Sequence, residues 1–386
     1  MPEQFPADSR RSLRSQSLDL LRFPLAVIVA AIHVIATRSY CVGNHIVRFD
    51  SMSGADSFYR FFDAFLRGQS VPIYFFISGY VFFLGIKLTI DTYGHKLQNR
   101  SKSLLIPYIS WNILAIGVAA IAVLPQMSDI IPAAKTFHIN LSLENVLQCF
   151  WNAHDGIFSD GTITTPGSDI YPQDYPLWFV RDLMIIVICT PMIYFCLKKT
   201  RWYAVGALAA IWFVLSPFKM GHFGQLLTGF FFFSWGAHTS FHGKDMITEF
   251  NKFFKTSVLL YCSISLLIWL LPDIPHVIVH LLKSINVVAG MVMAYGLAAR
   301  LIQSRRVKVS KFLAVASFFV YAGHALFVAY INIFLFRLFR PVHFYGVALI
   351  YLATLVLTIS LLLLIFKLLG RYLPSIQKIL AGKTYR

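Results

Sequence analysis

Charge is what this sequence has least of. Only 13% of its 386 residues are Asp, Glu, Lys or Arg, about half of the roughly 25% that a soluble domain carries. Acids are the scarcer sign, 17 against 34 Lys and Arg. So few charges cannot cover a water-facing globule, and a soluble fold is excluded for most of the chain. The five cysteines (Cys41, Cys149, Cys189, Cys196 and Cys262) are scattered without metal-ligand spacing, which gives no support to a cysteine-rich metal site. Three of them, Cys189, Cys196 and Cys262, fall in apolar runs and read as packing residues. Cys41 and Cys149 both read as lying outside the membrane, where a disulfide between them stays open. There is no glycine-rich phosphate loop, no HExxH and no GxSxG elbow, so no motif supports P-loop, zinc-protease or serine-hydrolase chemistry, and no metal is expected. Internal repeats, low-complexity tracts and an appended soluble domain are equally missing from the pattern.

What the chain has instead is apolar length. It is 57% hydrophobic and 16% aromatic, with a mean hydropathy of +0.66. Runs long enough to cross a bilayer core of about 30 Å begin near Leu18, Val71, Leu104, Leu177, Trp202, Phe223, Thr256, Val277, Phe312 and Tyr345. The first, over residues 18–37, is too long and wrongly flanked for a removable signal. The expected fold is an all-α, polytopic integral membrane bundle of about ten transmembrane helices. The Trp202 and Phe223 runs are the shortest or most interrupted of the ten.

The net charge of +17 would suit nucleic acid, but its placement does not. In alternate connections lie Arg10, Arg11, Arg14 and Arg22, then Lys87, Lys96, Arg100 and Lys102, and the pattern continues to Lys367, Arg371, Lys378, Lys383 and Arg386. Segments of this one side hold 24 of the 34 Lys and Arg residues. That is the positive-inside bias, and it places both termini in the cytoplasm. The organisation expected is a cytoplasmic tail over 1–17, a membrane domain over 18–370 and a second cytoplasmic tail over 371–386. One long external connection, 125–176, contains ENVLQCFWN, which suits a short helix, and Trp151, His154, Tyr171 and Tyr175, which favour an ordered cap. A second external piece carries DSFYRFFDAFLRG, an amphipathic pattern expected to lie along the interface.

Arg22 and His33 are eleven residues apart, almost three whole helical turns. They share one face at roughly 16 Å along the axis. Ionisable groups inside a bilayer are costly and face a cavity or a partner by default. A cation at the mouth and a titratable ring in the interior suit a long anionic donor whose reactive end reaches inward. An interfacial Arg and a histidine bonded to a neighbouring helix would give the same pattern. Asp19 can pair with Arg22 at i,i+3.

Other polar residues cluster along the apolar runs. FFISGY at 75–80 holds Ser78 and Gly79, a small pair suited to close helix packing, with Ser78 also able to bond a substrate or the His33 ring. Lys96, Arg100 and Lys102 form a basic cluster suited to phosphate or to anionic headgroups. PLWFVRD places Trp178 at an aromatic belt and an Arg181–Asp182 couple at the outer end of a span. His280, Lys283 and Ser284 share a face at i, i+3, i+4, with Asn286 nearby. His324, in SFFVYAGH, falls near mid-membrane and makes a second interior histidine, or a structural one.

Taken together, Arg-x10-His (Arg22, His33), FFISGY, RSKSLLIP, PLWFV and SFFVYAGH, in that order, resemble the acyltransferase family 3 of integral membrane proteins. These marks run from residue 18 to about 326. The resemblance implies transfer of an acyl group, commonly acetyl, from acetyl-CoA or another acyl-CoA to a hydroxyl of a glycan or lipid-linked sugar. It implies His33 as the essential catalytic histidine with Arg22 as its partner in the motif. SFFVYAGH is a loose form of the family's C-terminal mark, and Arg181–Asp182 is not a general family feature.

The reading that follows is an acyl-CoA-dependent O-acyltransferase of a bacterial inner membrane. Arg100, Lys102 and Lys96, with Arg22 at the mouth, are expected to bind the donor. His33 is expected as general base, and Ser78 and His324 as groups facing the thioester oxygen. Trp178, Arg181, Asp182 and Lys283 are the candidates for acceptor contacts. An acyl-histidine relay is the alternative mechanism that the sequence leaves open. The second class compatible with interior polar residues is a transporter or flippase for an anionic or sugar-linked substrate. The expected partners are the bilayer and the acceptor, with no nucleic acid; the sequence does not specify an oligomeric state.

Overall fold

A backbone in hydrocarbon must satisfy its own polar groups, and a single-chain apolar run does this as helix. The computed structural model describes residues 7–42, 45–85, 88–124, 138–159 and 168–383, and nearly all of their regular structure is helical. The first helix, α1 (Ala7–Ile35), is followed by a short antiparallel pair, β1 (Ser39–Val42) and β2 (His45–Arg48). Then come α2 (Ala55–Phe65), α3 (Ser70–Phe83), α4 (Ile90–Arg100) and α5 (Ile106–Ala122), the last two joined by a π-helical turn at Ser101–Leu105. The long connection over 125–176 holds β3 (His138–Ile139), α6 (Leu143–Gln148) and β4 (Phe158–Ser159). After it run α7 (Trp178–Ile188), α8 (Thr190–Thr200), α9 (Trp202–Leu215), α10 (Gly221–Phe241), α11 (Met246–Lys252) and α12 (Phe254–Leu270). The chain ends with α13 (His276–Gln303), α14 (Lys311–Phe339), α15 (Phe344–Tyr372) and α16 (Pro374–Ala381).

All ten apolar runs are helical, but not all are long enough to span. Among the described residues five helical stretches have the length and apolarity to cross a membrane: Leu13–Ile35, Ile90–Ala122, His276–Gln303, Lys311–Phe339 and Phe344–Tyr372. The count becomes seven if two bent pairs are each one span, α7 with α8 at 61° and α11 with α12 at 65°. The other three runs are α3 and α9, with 14 residues each, and α10, with 21. Two of the polar interruptions of α10 are partnered by neighbouring helices: His222 Nε2 lies 3.0 Å from Asp182 on α7, and Thr228 accepts from Trp212 Nε1 on α9 at 3.0 Å. Residues 7–17 belong to α1, and α16 packs against α5, α14 and α15.

Helices α3 and α10 meet backbone to backbone. A Cβ on Gly79 would lie 2.0 Å from the carbonyl oxygen of Phe233, and one on Gly236 would lie 2.1 Å from that of Phe76. Close approach through small residues is how helices associate without a hydrophobic drive between them, so Gly79 is a packing residue. Around this seam lie fully buried rings, among them Phe75, Phe76, Phe82, Phe232 and Phe233. Gly79→Ala is expected to cost at least the 1–3 kcal/mol typical of overpacking, because rigid backbone must give way. Thermal unfolding in detergent measures the loss, and an unchanged midpoint would contradict the seam.

Two further features position the site. Helices α1 and α14 run parallel, since Arg22 shares a cavity with Ala314–Tyr321 while Val34 accepts a hydrogen bond from Asn332 Nδ2 at 3.2 Å. The amphipathic α2 is docked rather than free: Tyr59 bonds Tyr351 on α15 at 3.0 Å, and Trp269 on α12 donates to the Ser57 carbonyl at 3.0 Å.

Candidate active site

The eleven-residue spacing on α1 turns Arg22 and His33 toward the same neighbour, α14. At one end Arg22 opens onto a cavity of about 220 Å³, whose walls also carry Tyr74, Ser78, Arg100, Tyr321 and Lys383. Drug-sized pockets run about 300–1,000 Å³, so this volume holds a narrow segment of a ligand and not a whole nucleotide. Arg22 is already bonded to Asp19 at 2.7 Å, but among the described residues no acidic side chain lines the cavity itself. Pro24 sits inside α1 just beyond Arg22 and lacks the N–H that a helix interior uses. Tyr74 Oη donates to the Arg22 carbonyl at 2.7 Å, steadying this stretch.

Arg100, Ser103 and Leu104 reach the cavity together because i, i+3 and i+4 share a helix face. The π-helical turn at Ser101–Leu105 precedes Pro107, which has no N–H to give the Ser103 carbonyl four residues back. Such π-bulges recur at functional sites. Lys102 falls between the face-sharing positions and points outward, exposed. Lys96 is engaged elsewhere, its Nζ donating to the Phe82 carbonyl at 2.7 Å. Of the basic cluster expected to bind a donor, only Arg100 enters the cavity.

Further along α1 and α14 the two interior histidines meet. The rings of His33 and His324 stack with centroids 5.2 Å apart, and Tyr175 contacts the His33 ring edge-on at 4.7 Å. His324 is fully buried, with Nδ1 2.6 Å from the Tyr321 carbonyl oxygen. A carbonyl only accepts, so in the neutral ring Nδ1 carries the proton and Nε2 presents its lone pair. That Nε2 is buried without a hydrogen-bond partner among the described residues. It suits a hydroxyl donor, and it does not suit the role expected for His324 of donating to a thioester oxygen. Neither histidine lines the cavity. Tyr321 stands between, its ring on the cavity wall and its carbonyl holding His324. Its hydroxyl donates to the Pro176 carbonyl, and its ring lies 6.1 Å from that of Tyr74.

Over the histidine pair the described part of the long connection forms an ordered cap. Tyr108 Oη donates to the Phe150 carbonyl, and Asn112 Oδ1 accepts from the Asp174 backbone N–H at 2.9 Å. Arg181 and Asp182 are part of this fastening. Arg181 Nε donates to Asp182 Oδ1 at 2.9 Å, Arg181 Nη1 to the Trp151 carbonyl at 2.7 Å, and His222 Nε2 lies 3.0 Å from the same Asp182 oxygen. The pair expected to touch an acceptor therefore holds the cap. Trp178 packs against the core, and Lys283 pairs with Asp63 of α2, tying α13 to that helix. Cys149 is a buried free thiol whose sulfur accepts from the Ile157 N–H at 3.3 Å. The side chain of Cys41 and residues 125–137 and 160–167 lie outside the described residues.

Asp174 was not distinguishable by sequence. It is 1% exposed, both carboxylate oxygens lack a partner among the described residues, and burial holds its carboxyl well above the usual range. An acid with a raised native pKa binds more protons folded than unfolded, so its burden on stability grows as pH climbs from the unfolded value, about 4, through the native one. Asp174→Asn is expected to raise the melting temperature by about 2 °C or more at pH 8 and by less at pH 5. Equal shifts at both pH values would mean that the carboxyl titrates normally. Tyr74 was missed as well; the sequence marks Tyr175 only as a residue of the cap, and Lys383 only as part of a cytoplasmic tail.

Among the described residues no group of three or more His, Cys, Asp or Glu is placed to hold a metal ion. A family model described as an acyltransferase domain matches residues 15–367. Neither a curated protein nor a solved structure matches the chain.

Proposed function

The chain belongs to this acyltransferase family, and on that premise we propose that it moves an acyl group, acetyl in the first instance, from acyl-CoA to a hydroxyl of a glycan or lipid-linked sugar. The observation that carries the reading is a cation-walled cavity that Tyr321 links to a stacked pair of imidazoles, His324 buried and His33 half-buried. The donor's phosphates engage Arg22 and Arg100 on the cytoplasmic side of a bacterial inner membrane. Its narrow pantetheine arm follows α1 and α14 inward, displacing the Tyr74 and Tyr321 rings to reach the histidines. The acceptor hydroxyl comes from the cap side.

His33 and the His324 Nε2 lone pair together orient that hydroxyl and take its proton. The acceptor oxygen bonds to the acyl carbon, the carbon–sulfur bond breaks, and the proton passes from imidazole to the leaving thiolate. In the relay version the same carbon bonds first to a His33 ring nitrogen and then to the acceptor oxygen. Positioned acid–base catalysis contributes about 10²–10⁴-fold; the rest comes from holding two reactants at one point.

The test is free-thiol release from acetyl-CoA by purified protein in detergent with a cell-envelope glycan extract. Acceptor-dependent release supports the proposal. No release, with no binding of acetyl-CoA, overturns the donor and favours a transporter for an anionic or sugar-linked substrate.

A further inference from the structure

Helix α15 ends at Tyr372, and the eight-residue α16 folds back under the bundle. Three contacts fix it there. Gln377, 1% exposed, donates through Nε2 to the Phe366 carbonyl at 2.9 Å. Trp111 Nε1 donates to the Leu380 carbonyl at 2.9 Å. Gly382 closes the helix at φ +67°, where a Cβ would come within 2.8 Å of the Ser103 carbonyl oxygen. Only glycine adopts that conformation readily, and its absent side chain lets the segment pass against the π-helical turn. The consequence is that Ala381 and Lys383 become wall of the same cavity as Arg22 and Arg100.

Three cations therefore face a cavity lined by no acid among the described residues. Like charges brought together are unfavourable unless an anion joins them. Lys383 registers this: burial and the nearby Arg22 and Arg100 guanidiniums push its ammonium below the usual lysine range, against the opposing pull of Asp19. Two guanidiniums and an ammonium suit the oxygens of a phosphate or diphosphate, the forks bonding in pairs and the lysine as a point charge.

We infer that α16 is part of the donor site and that Lys383 is a third phosphate ligand beside Arg22 and Arg100. The inference rests on the donor reading proposed above, and it adds a residue that the sequence placed in a tail.

The experiment uses the full chain with Lys383→Ala, Lys383→Glu and Lys383→Arg. Each is assayed with acetyl-CoA and with S-acetylpantetheine, which keeps the thioester and arm but has no phosphate. A charge-assisted hydrogen bond removed from a phosphate corresponds to about a ten- to hundredfold loss of affinity. Lys383→Ala is expected to raise KM for acetyl-CoA by that factor, Lys383→Glu by more, and Lys383→Arg to restore most of it. Turnover of S-acetylpantetheine and the melting temperature are expected to stay at wild-type values. Equal losses with both donors, or a lowered melting temperature, would make α16 a structural prop and overturn the inference. If the wild type binds no CoA, binding of inorganic pyrophosphate separates the two ideas. Binding weakened by Lys383→Ala keeps the anion site while removing the donor reading; binding indifferent to Lys383, or none at all, removes the anion site as well.

Discussion

His33→Ala and His324→Ala are each expected to lower acceptor-dependent acyl transfer by about 10²–10⁴-fold, and the double replacement is expected to cost little more than the worse single one. The reason for non-additivity is geometric. The rings stack at 5.2 Å; on the proposed chemistry one acceptor hydroxyl meets both, and groups acting as a unit lose their function together. His324→Asn separates chemistry from positioning. An asparagine Nδ2 can still donate to the Tyr321 carbonyl, but an amide cannot take up a proton. Activity as low as in His324→Ala assigns His324 to proton transfer, whereas substantial recovery in His324→Asn assigns it to holding α14 and its neighbour in place. The measurement is kcat from thiol release, with melting temperature as control. A single variant retaining more than about a tenth of wild-type turnover would remove that histidine from the chemistry.

The Arg22 and His33 face was legible because helical periodicity alone fixes it. What they face was not, since it depends on α14 lying parallel to α1, a tertiary fact that no local pattern encodes. The same periodicity sorts the basic cluster: Arg100, Ser103 and Leu104 share a face that Lys102 cannot join. Lys96 occupies that face one turn earlier but is taken by the Phe82 carbonyl. Ten apolar runs became ten helical segments, yet composition did not reveal that α3 and α10 cover each other through Gly79 and Gly236. That mutual cover helps a 14-residue helix persist in the bundle, while the polar His222 and Thr228 of α10 find partners on α7 and α9. Lys383 was hidden for the opposite reason. A basic segment following a long helix looks like a tail, and only Gly382 with the Trp111 and Gln377 hydrogen bonds reveals that it turns back.

Asp182→Ala carries the largest expected stability loss, about 3–5 kcal/mol, the cost of stripping one partner from a buried ion pair. Asp182 is 0% exposed and one of its oxygens serves both Arg181 at 2.9 Å and His222 at 3.0 Å. Without it Arg181, a residue 3% exposed, keeps the cap carbonyls, chiefly that of Trp151 at 2.7 Å, and the Trp151 ring 4.9 Å from its guanidinium carbon. Asp182→Asn retains an acceptor for Arg181 Nε and is expected to fall between Asp182→Ala and wild type in thermal unfolding. The informative variant is the double Arg181→Met, Asp182→Leu. Replacing a buried pair by apolar groups of similar volume is often close to neutral, so its melting temperature is expected near wild type. The Trp151 carbonyl nonetheless loses its donor, and the cap loses a fastening to α7. Limited proteolysis in residues 138–159 is therefore expected to accelerate in the double variant at unchanged melting temperature, with acyl transfer falling in step. If cleavage and activity both stay at wild-type values, the Arg181–Asp182–His222 network serves the bundle alone, and the cap over the histidines is held by Tyr108 and Asn112.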